Sequence, residues 1–125
     1  MAEGYILVVD DDENTCRLLR HAIERLGYNV RTVNNGTSAL NMLESQRPIA
    51  AILDIVMPDM NGYVLFKKIR SLPDMEGMPI IISTGKECMK EYFELDGDKA
   101  VPDAFLTKPY SKNDLELALN KILKR

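Results

Sequence analysis

Short apolar runs of strand length alternate along the chain with segments whose apolar residues recur at helical spacing, the pattern that βα units leave in a sequence. Five runs read as strands: Ile6–Val9, Asn29–Val33, Ala50–Leu53, Ile80–Ser83 and Ala104–Thr107. The first, third and fourth are almost wholly apolar. Strands covered on both faces of a parallel sheet have that composition, so these three are expected at its centre. Leu18, Leu19, Ala22, Ile23 and Leu26 recur at helical spacing after the first run, and Gly27 supplies a left-handed stop. A second helix is expected over Ser38–Ser45, with Leu40 and Leu43 inward and its end before Pro48. A third follows Gly62 on the stripe Leu65, Phe66 and Ile69, ahead of Pro73. The last is capped by Ser111 and lined by Leu115, Ala118, Leu119, Ile122 and Leu123. Between Glu87 and Asp103, Met89, Tyr92 and Phe93 suggest a brief fourth helix, which Gly97 and Pro102 interrupt, so a brief helix and a longer loop are expected there.

Five strands and five helices in 125 residues exclude a closed eight-stranded barrel, which needs about 250 residues. The expected architecture is α/β, an open, doubly wound parallel sheet in a single domain. Such sheets place their ligand site beyond the carboxyl ends of the strands. Asp10, Asp11 and Asp12 follow the first strand, Asp54 the third, Thr84 the fourth and Lys108 the fifth. In a parallel sheet these residues converge on one rim. Two carboxylates about 4 Å apart repel by roughly 4 kcal/mol at an effective dielectric near 20, so a cluster of Asp10, Asp11 and Asp54 requires a cation. With no His or Cys nearby, the donors are hard oxygens, which select Mg²⁺ or Mn²⁺ over zinc or copper.

Magnesium is commonly completed by a phosphate, and Lys108 adds a point charge able to pair with phosphoryl oxygens, with Thr84 as a hydroxyl partner. The simplest chemistry for this set is attack by Asp54 on phosphorus to give an acyl phosphate. Taken singly, each residue has a plainer role: Asp12 as the N-cap of the first helix, Thr84 with Gly85 and Lys108 with Pro109 as turn residues. Their conjunction at four strand ends favours the phosphoryl site.

Composition narrows the partners. Hydrophobic residues make up 46% and charged residues 28%, as in a packed globule. Sixteen basic against nineteen acidic residues leave a net charge of -3, which offers no general attraction to nucleic acid or anionic lipid. The two cysteines, Cys16 and Cys88, lack zinc or redox spacing. The first apolar run is too short for a membrane span or secretory core, so a cytoplasmic setting is expected.

The segments ILVVDD ending at Asp11, ILDIVMPDMNG around Asp54, PIIIST ending at Thr84 and FLTKP around Lys108 resemble the receiver domain of two-component response regulators, of the chemotaxis-regulator type. The resemblance spans essentially the whole chain. It implies a flavodoxin-like (βα)5 sheet in strand order 2-1-3-4-5 and a single receiver over residues 1–125. It further implies that Asp54 is the phosphoacceptor. Asp11, Asp54 and the backbone carbonyl of Val56 would hold Mg²⁺, with Asp10 acting through water. Lys108 would hold the phosphoryl group, Thr84 would move to contact it, and Phe105 would swing as Thr84 moves. A cis Lys108–Pro109 bond and a loop shaped by Pro58 and Gly62 are expected too.

The implied partners are a histidine kinase or histidine phosphotransfer protein and a downstream protein or output domain. The latter would dock on the face of the fourth helix, fifth strand and fifth helix. The resemblance implies a switch that catalyses only its own phosphorylation and dephosphorylation. Val56 and Lys86, two residues after Asp54 and Thr84, stand where relatives often carry polar or acidic side chains that influence water attack, so slow self-hydrolysis is expected. Two other readings share features. One is a phosphorylation-independent docking module. The other is a haloacid-dehalogenase-like phosphatase, whose second aspartate, two residues after the nucleophile, is here Val56.

Overall fold

The computed structural model describes residues 4–75, 77–85 and 102–123. Its strands are β1 (Tyr5–Val9), β2 (Asn29–Val33), β3 (Ala50–Asp54), β4 (Ile80–Thr84) and β5 (Ala104–Thr107). They form one sheet in the order β2-β1-β3-β4-β5, every pair parallel. The described helices are α1 (Glu13–Arg25), α2 (Gly36–Ser45), α3 (Gly62–Arg70) and α4 (Lys112–Leu123). Among the described residues, four helices are therefore seen where five were expected in the whole chain. The brief helix expected between Glu87 and Asp103 falls outside the described residues, apart from Pro102 and Asp103, which are not helical.

The pleat divides the core into two layers. Tyr5, Leu7, Val9, Ala51, Leu53, Ile80 and Ile82 face α2 and α3, where Ala39, Leu43, Leu65, Phe66 and Ile69 cover them. The intervening residues Ile6, Val8, Ala50, Ile52, Ile81 and Leu106 face α1 and α4, against Leu19, Ile23, Leu115 and Leu119. β1, β3 and β4 are buried along their whole length because helices lie on both sides. β2 and β5 are the edges.

Helix termini follow side-chain chemistry. Asp12 caps α1 by accepting from the Asn14 amide, Asn35 caps α2 by accepting from Ser38, and Asn61 caps α3 by accepting from Val64. At α4 the Ser111 hydroxyl accepts from the Asp114 amide at 3.0 Å, and the Asp114 carboxylate accepts from the Ser111 amide at 3.0 Å, a reciprocal capping box. Gly27, at φ 98°, closes α1 in the left-handed region as its position predicts.

Four boundaries differ from the sequence reading, the first being the start of β1 at Tyr5 rather than Ile6. Asp54 and Thr84 are the last paired residues of β3 and β4 rather than the first residues after them, since Asp54 pairs with Ser83 and Thr84 with Thr107. Ladder pairing uses main-chain groups and continues through a polar side chain. α2 begins at Gly36, two residues before Ser38, because a carboxylate from another loop satisfies its first amides. Leu18, read as part of the apolar stripe of α1, is 72% exposed, for it lies beside the stripe centred on Leu19 and Ile23.

Burial ranks the helical leucines. Leu119→Ala, at a fully buried site, is expected to lower unfolding stability by about 2–5 kcal/mol. Leu117→Ala, where the side chain is 60% exposed, is expected to change it by no more than about 0.5 kcal/mol. Urea unfolding curves check both, and equal losses would contradict the assigned facing of α4.

Candidate functional site

At the carboxyl ends of β1, β3 and β5 the pleat sets one row of polar side chains above the α1/α4 layer. Asp10 continues the direction of Ile6 and Val8, Asp54 that of Ala50 and Ile52, and Lys108 that of Ala104 and Leu106. Asp10 and Asp54 are buried, at 2% and 6% exposure, while Asp11 is exposed. Each of the three offers a carboxylate oxygen, and these atoms lie within 4.8 Å of one another. The Lys108 ammonium bridges two of them, with Nζ 3.1 Å from Asp10 Oδ2 and 3.3 Å from Asp54 Oδ1. Two hydrogen bonds steady the frame: the Lys108 amide donates to the Thr84 carbonyl at 2.7 Å, and the Asp12 amide to Asp10 Oδ1 at 2.9 Å. The Lys108–Pro109 peptide is cis, as the resemblance implies.

The electrostatics are those of crowded like charges. At 4.8 Å two carboxylates repel by roughly 3.5 kcal/mol at an effective dielectric near 20. Burial, and then the charge of Asp10, raise the Asp54 pKa, with Lys108 opposing. Burial pulls the Lys108 ammonium down, but Asp54 and Asp10 outweigh it and hold the group above its ordinary value. Among the described residues, one ammonium against three carboxylates leaves the rim negative. All the donors are hard oxygens, so the set fits a divalent ion of the magnesium type.

Thr84 stands on the other face. It follows Ile80 and Ile82 in the pleat, so its side chain leaves the sheet toward α3, as does that of Phe105, which packs with the α2/α3 layer. Thr84 is buried at 3% exposure. The structure therefore brings Asp10, Asp11, Asp54 and Lys108 together, and sets Thr84 and Phe105 on the other face of the adjacent strands β4 and β5. Val56, in the loop after β3, is 64% exposed. Lys86 and Cys88 lie outside the described residues.

Gly62 and Asp59 fix that loop. The Gly62 amide donates to the Ile55 carbonyl at 2.8 Å, and a Cβ at this position would overlap the Asp54 carbonyl. Only glycine lets α3 start so close to β3. Asp59, which the sequence reading passed over, accepts from the amides of Gly36 and Thr37, both at 3.0 Å, from the Thr37 hydroxyl at 2.9 Å and from the Met60 amide at 2.9 Å. It thus binds the loop after β3 to the amino end of α2. Hydrogen bonds from the Gly36 and Thr37 amides hold its pKa down at about 2.

The family model for the response regulator receiver domain matches residues 6–120. The chain belongs to the response regulator receiver family. The alkaline phosphatase synthesis transcriptional regulatory protein PhoP of Bacillus subtilis is 34% identical over 120 residues, covering 96% of this chain and 48% of PhoP. The chain spans about half the length of the curated relatives it matches.

Among solved structures, the signal receiver domain of a signal transduction histidine kinase from Syntrophus aciditrophicus has TM-score 0.86 at 31% identity, covering 97% of this chain and 90% of that one. Response regulator TrrA of Thermotoga maritima, solved in complex with Mg²⁺-BeF, has TM-score 0.81 at 28% identity, covering 95% and 98%. The strand order is the one expected of a receiver, and the pocket of Asp10, Asp11 and Asp54 fits the phosphoacceptor site of this family of signalling switches. Among the described residues, no helix is long and apolar enough to cross a membrane.

The Asp59 clamp gives this receiver a pH signature. A carboxylate whose folded pKa lies below its unfolded value of about 3.9 contributes stability above that value and loses it as pH falls toward the folded pKa. Asp59→Asn should therefore be less stable than the parent at pH 7, with the gap closing between about pH 4 and the folded value of about 2. Urea midpoints across that range check this, and a gap independent of pH would contradict it.

Proposed function

We propose that this receiver takes a phosphoryl group onto Asp54 from a histidine kinase or histidine phosphotransfer protein and passes the signal on through a changed surface. The observation that carries this reading is the close set of Asp10, Asp11 and Asp54 with Lys108 bridging two of them. An Asp54 oxygen attacks phosphorus, the bond from phosphorus to the donor's imidazole nitrogen breaks, and the imidazole leaves with the electron pair. Asp11, Asp54 and the Val56 carbonyl would hold the divalent ion, with Asp10 acting through water. Bound there, Mg²⁺ supplies positive charge against the oxygens of the transferring group. Lys108, held between Asp10 and Asp54, turns its ammonium to the arriving phosphoryl oxygens. Asp54 and Asp10 keep that ammonium charged.

Thr84 and Phe105 would carry the change to the opposite face of the sheet. One charge-assisted hydrogen bond contributes roughly 1.5–3 kcal/mol, whereas moving an equilibrium from 1:99 to 99:1 takes about 5.5. Thr84 must therefore act together with Lys108 and the ion, and the response is a shift in populations. The receiving surface for an output domain or protein would include β5 and α4, where Leu117 is 60% exposed. The names of relatives that are transcriptional regulators support an output in transcription.

Asp54, raised in pKa, works against the fold once ionised: its unfavourable contribution is absent below the unfolded pKa and develops as pH rises through the folded one. Without divalent ion at pH 7, Asp54→Asn is expected to melt a few degrees higher than the parent. Mg²⁺ should raise the melting temperature of the parent and have little effect on the variant. Acetyl phosphate with Mg²⁺ should add one phosphoryl mass to the parent, located at Asp54 by peptide mapping, and none to Asp54→Asn. Phosphorylation of both proteins would contradict the assignment.

The side chain of Val56, exposed in the loop after β3, has no group able to orient a water. The acyl phosphate is accordingly expected to persist for minutes or longer without a phosphatase, and to shorten on Val56→Asn. Loss within seconds in the parent, followed by phosphate release, would overturn this.

A further inference from the structure

Ser83 is the buried polar group that the reading above leaves unused. It is 1% exposed, and among the described residues its hydroxyl has no hydrogen-bond partner. A buried hydroxyl left unpaired is costly and calls for an explanation. Ser83 pairs in register with Asp54 across β3 and β4. Residues opposed in a ladder share a face, and Ser83 follows Ile81, so it points to the same side as Asp54, Asp10 and Lys108. Tyr110 packs against that layer, and its phenol, pushed up first by burial, also feels Ser83 and Lys108. The Ser83 hydroxyl is near enough to the phenol to lower its pKa in the manner of a hydrogen bond, yet by distance and angle the Ser83 hydroxyl has no hydrogen-bond partner among the described residues.

The unmodified site explains why such a hydroxyl has nothing to do. Asp54 Oδ1 already receives the Lys108 ammonium at 3.3 Å. Once Asp54 carries a phosphoryl group, the ammonium is drawn to the phosphoryl oxygens, and the oxygen it leaves becomes the carbonyl of the acyl phosphate. That oxygen is buried, and besides the lone pair that would face the ion it has a second one that needs a donor. We propose that Ser83 is a positioning residue of the phosphorylation site, whose hydroxyl donates to the Asp54 carboxyl oxygen that Lys108 releases. The hydrogen bond then exists only in the phosphorylated state and favours it selectively. The inference rests on Asp54 being the phosphoacceptor. It places a hydroxyl on the Asp54 face of the sheet, opposite the face that carries Thr84.

The test titrates beryllofluoride with saturating Mg²⁺ into the parent, Ser83→Ala and Tyr110→Phe, followed by ¹H–¹⁵N NMR, with melting temperatures of the metal-free proteins measured alongside. Ser83→Ala is expected to bind beryllofluoride about tenfold more weakly, which corresponds to about 1.4 kcal/mol. Its metal-free melting temperature should stay equal or rise, because an unpaired buried hydroxyl has been removed. Tyr110→Phe should bind like the parent. Binding by Ser83→Ala within twofold of the parent would overturn the proposal. So would a lowered melting temperature in both variants with unchanged binding, since the two hydroxyls would then pair with each other. If the parent itself fails to bind, the phosphoacceptor reading is what fails.

Discussion

Three carboxylates gathered around one ammonium set the terms for everything at the carboxyl rim. Asp10, Asp11 and Asp54 approach within 4.8 Å at a place where Asp10 and Asp54 have little water to screen them. Lys108 offsets part of that charge from between the two buried members. The arrangement is unfavourable to the empty fold and favourable to any species that brings positive charge. Ion binding in the proposed reaction draws on that imbalance, and the bound ion together with Lys108 would offset the negative charge that the phosphoryl group adds.

The surrounding structure keeps the charges from moving apart. Parallel pairing of β1 with β3 and of β3 with β4 fixes the height of Asp10 relative to Asp54 and of Asp54 relative to Ser83. Gly62 lets α3 press against the end of β3, and Asp59 binds the intervening loop to α2. The pleat separates two sets of side chains: Asp54, Ser83 and Lys108 on the α1/α4 face, Thr84 and Phe105 on the α2/α3 face. Under the proposed switch a chemical event on one side would reach the other through β4, where Ser83 and Thr84 are adjacent residues. The sheet is both the support of the site and the route across it.

Sequence made the sheet legible because burial on both faces leaves uninterrupted apolar runs, as in ILVV and AAIL, and helical stripes such as Leu115, Leu119 and Ile122 have a period of their own. The site was legible for a related reason: polar residues that end apolar strands in a doubly wound sheet must converge. What escaped depends on contacts distant in sequence or on pleat parity. The grip of Asp59 on Gly36 and Thr37 joins loops more than twenty residues apart, and no local pattern announces it. Leu18 looked like part of a stripe because a leucine adjoining Leu19 satisfies a count of apolar residues without facing the core. Ser83 read as the end of a strand, and only the register beside Asp54 gives its hydroxyl a meaning.

The central claim, that one divalent ion sits among Asp10, Asp11 and Asp54, is most directly tested by paramagnetic broadening of amide NMR signals with substoichiometric Mn²⁺. The account predicts loss of signal centred on residues 10, 11, 54 and 56, fading with distance along β1 and β3, reversed by excess Mg²⁺ and absent in Asp11→Asn. Broadening centred elsewhere, or none at millimolar Mn²⁺, would contradict it.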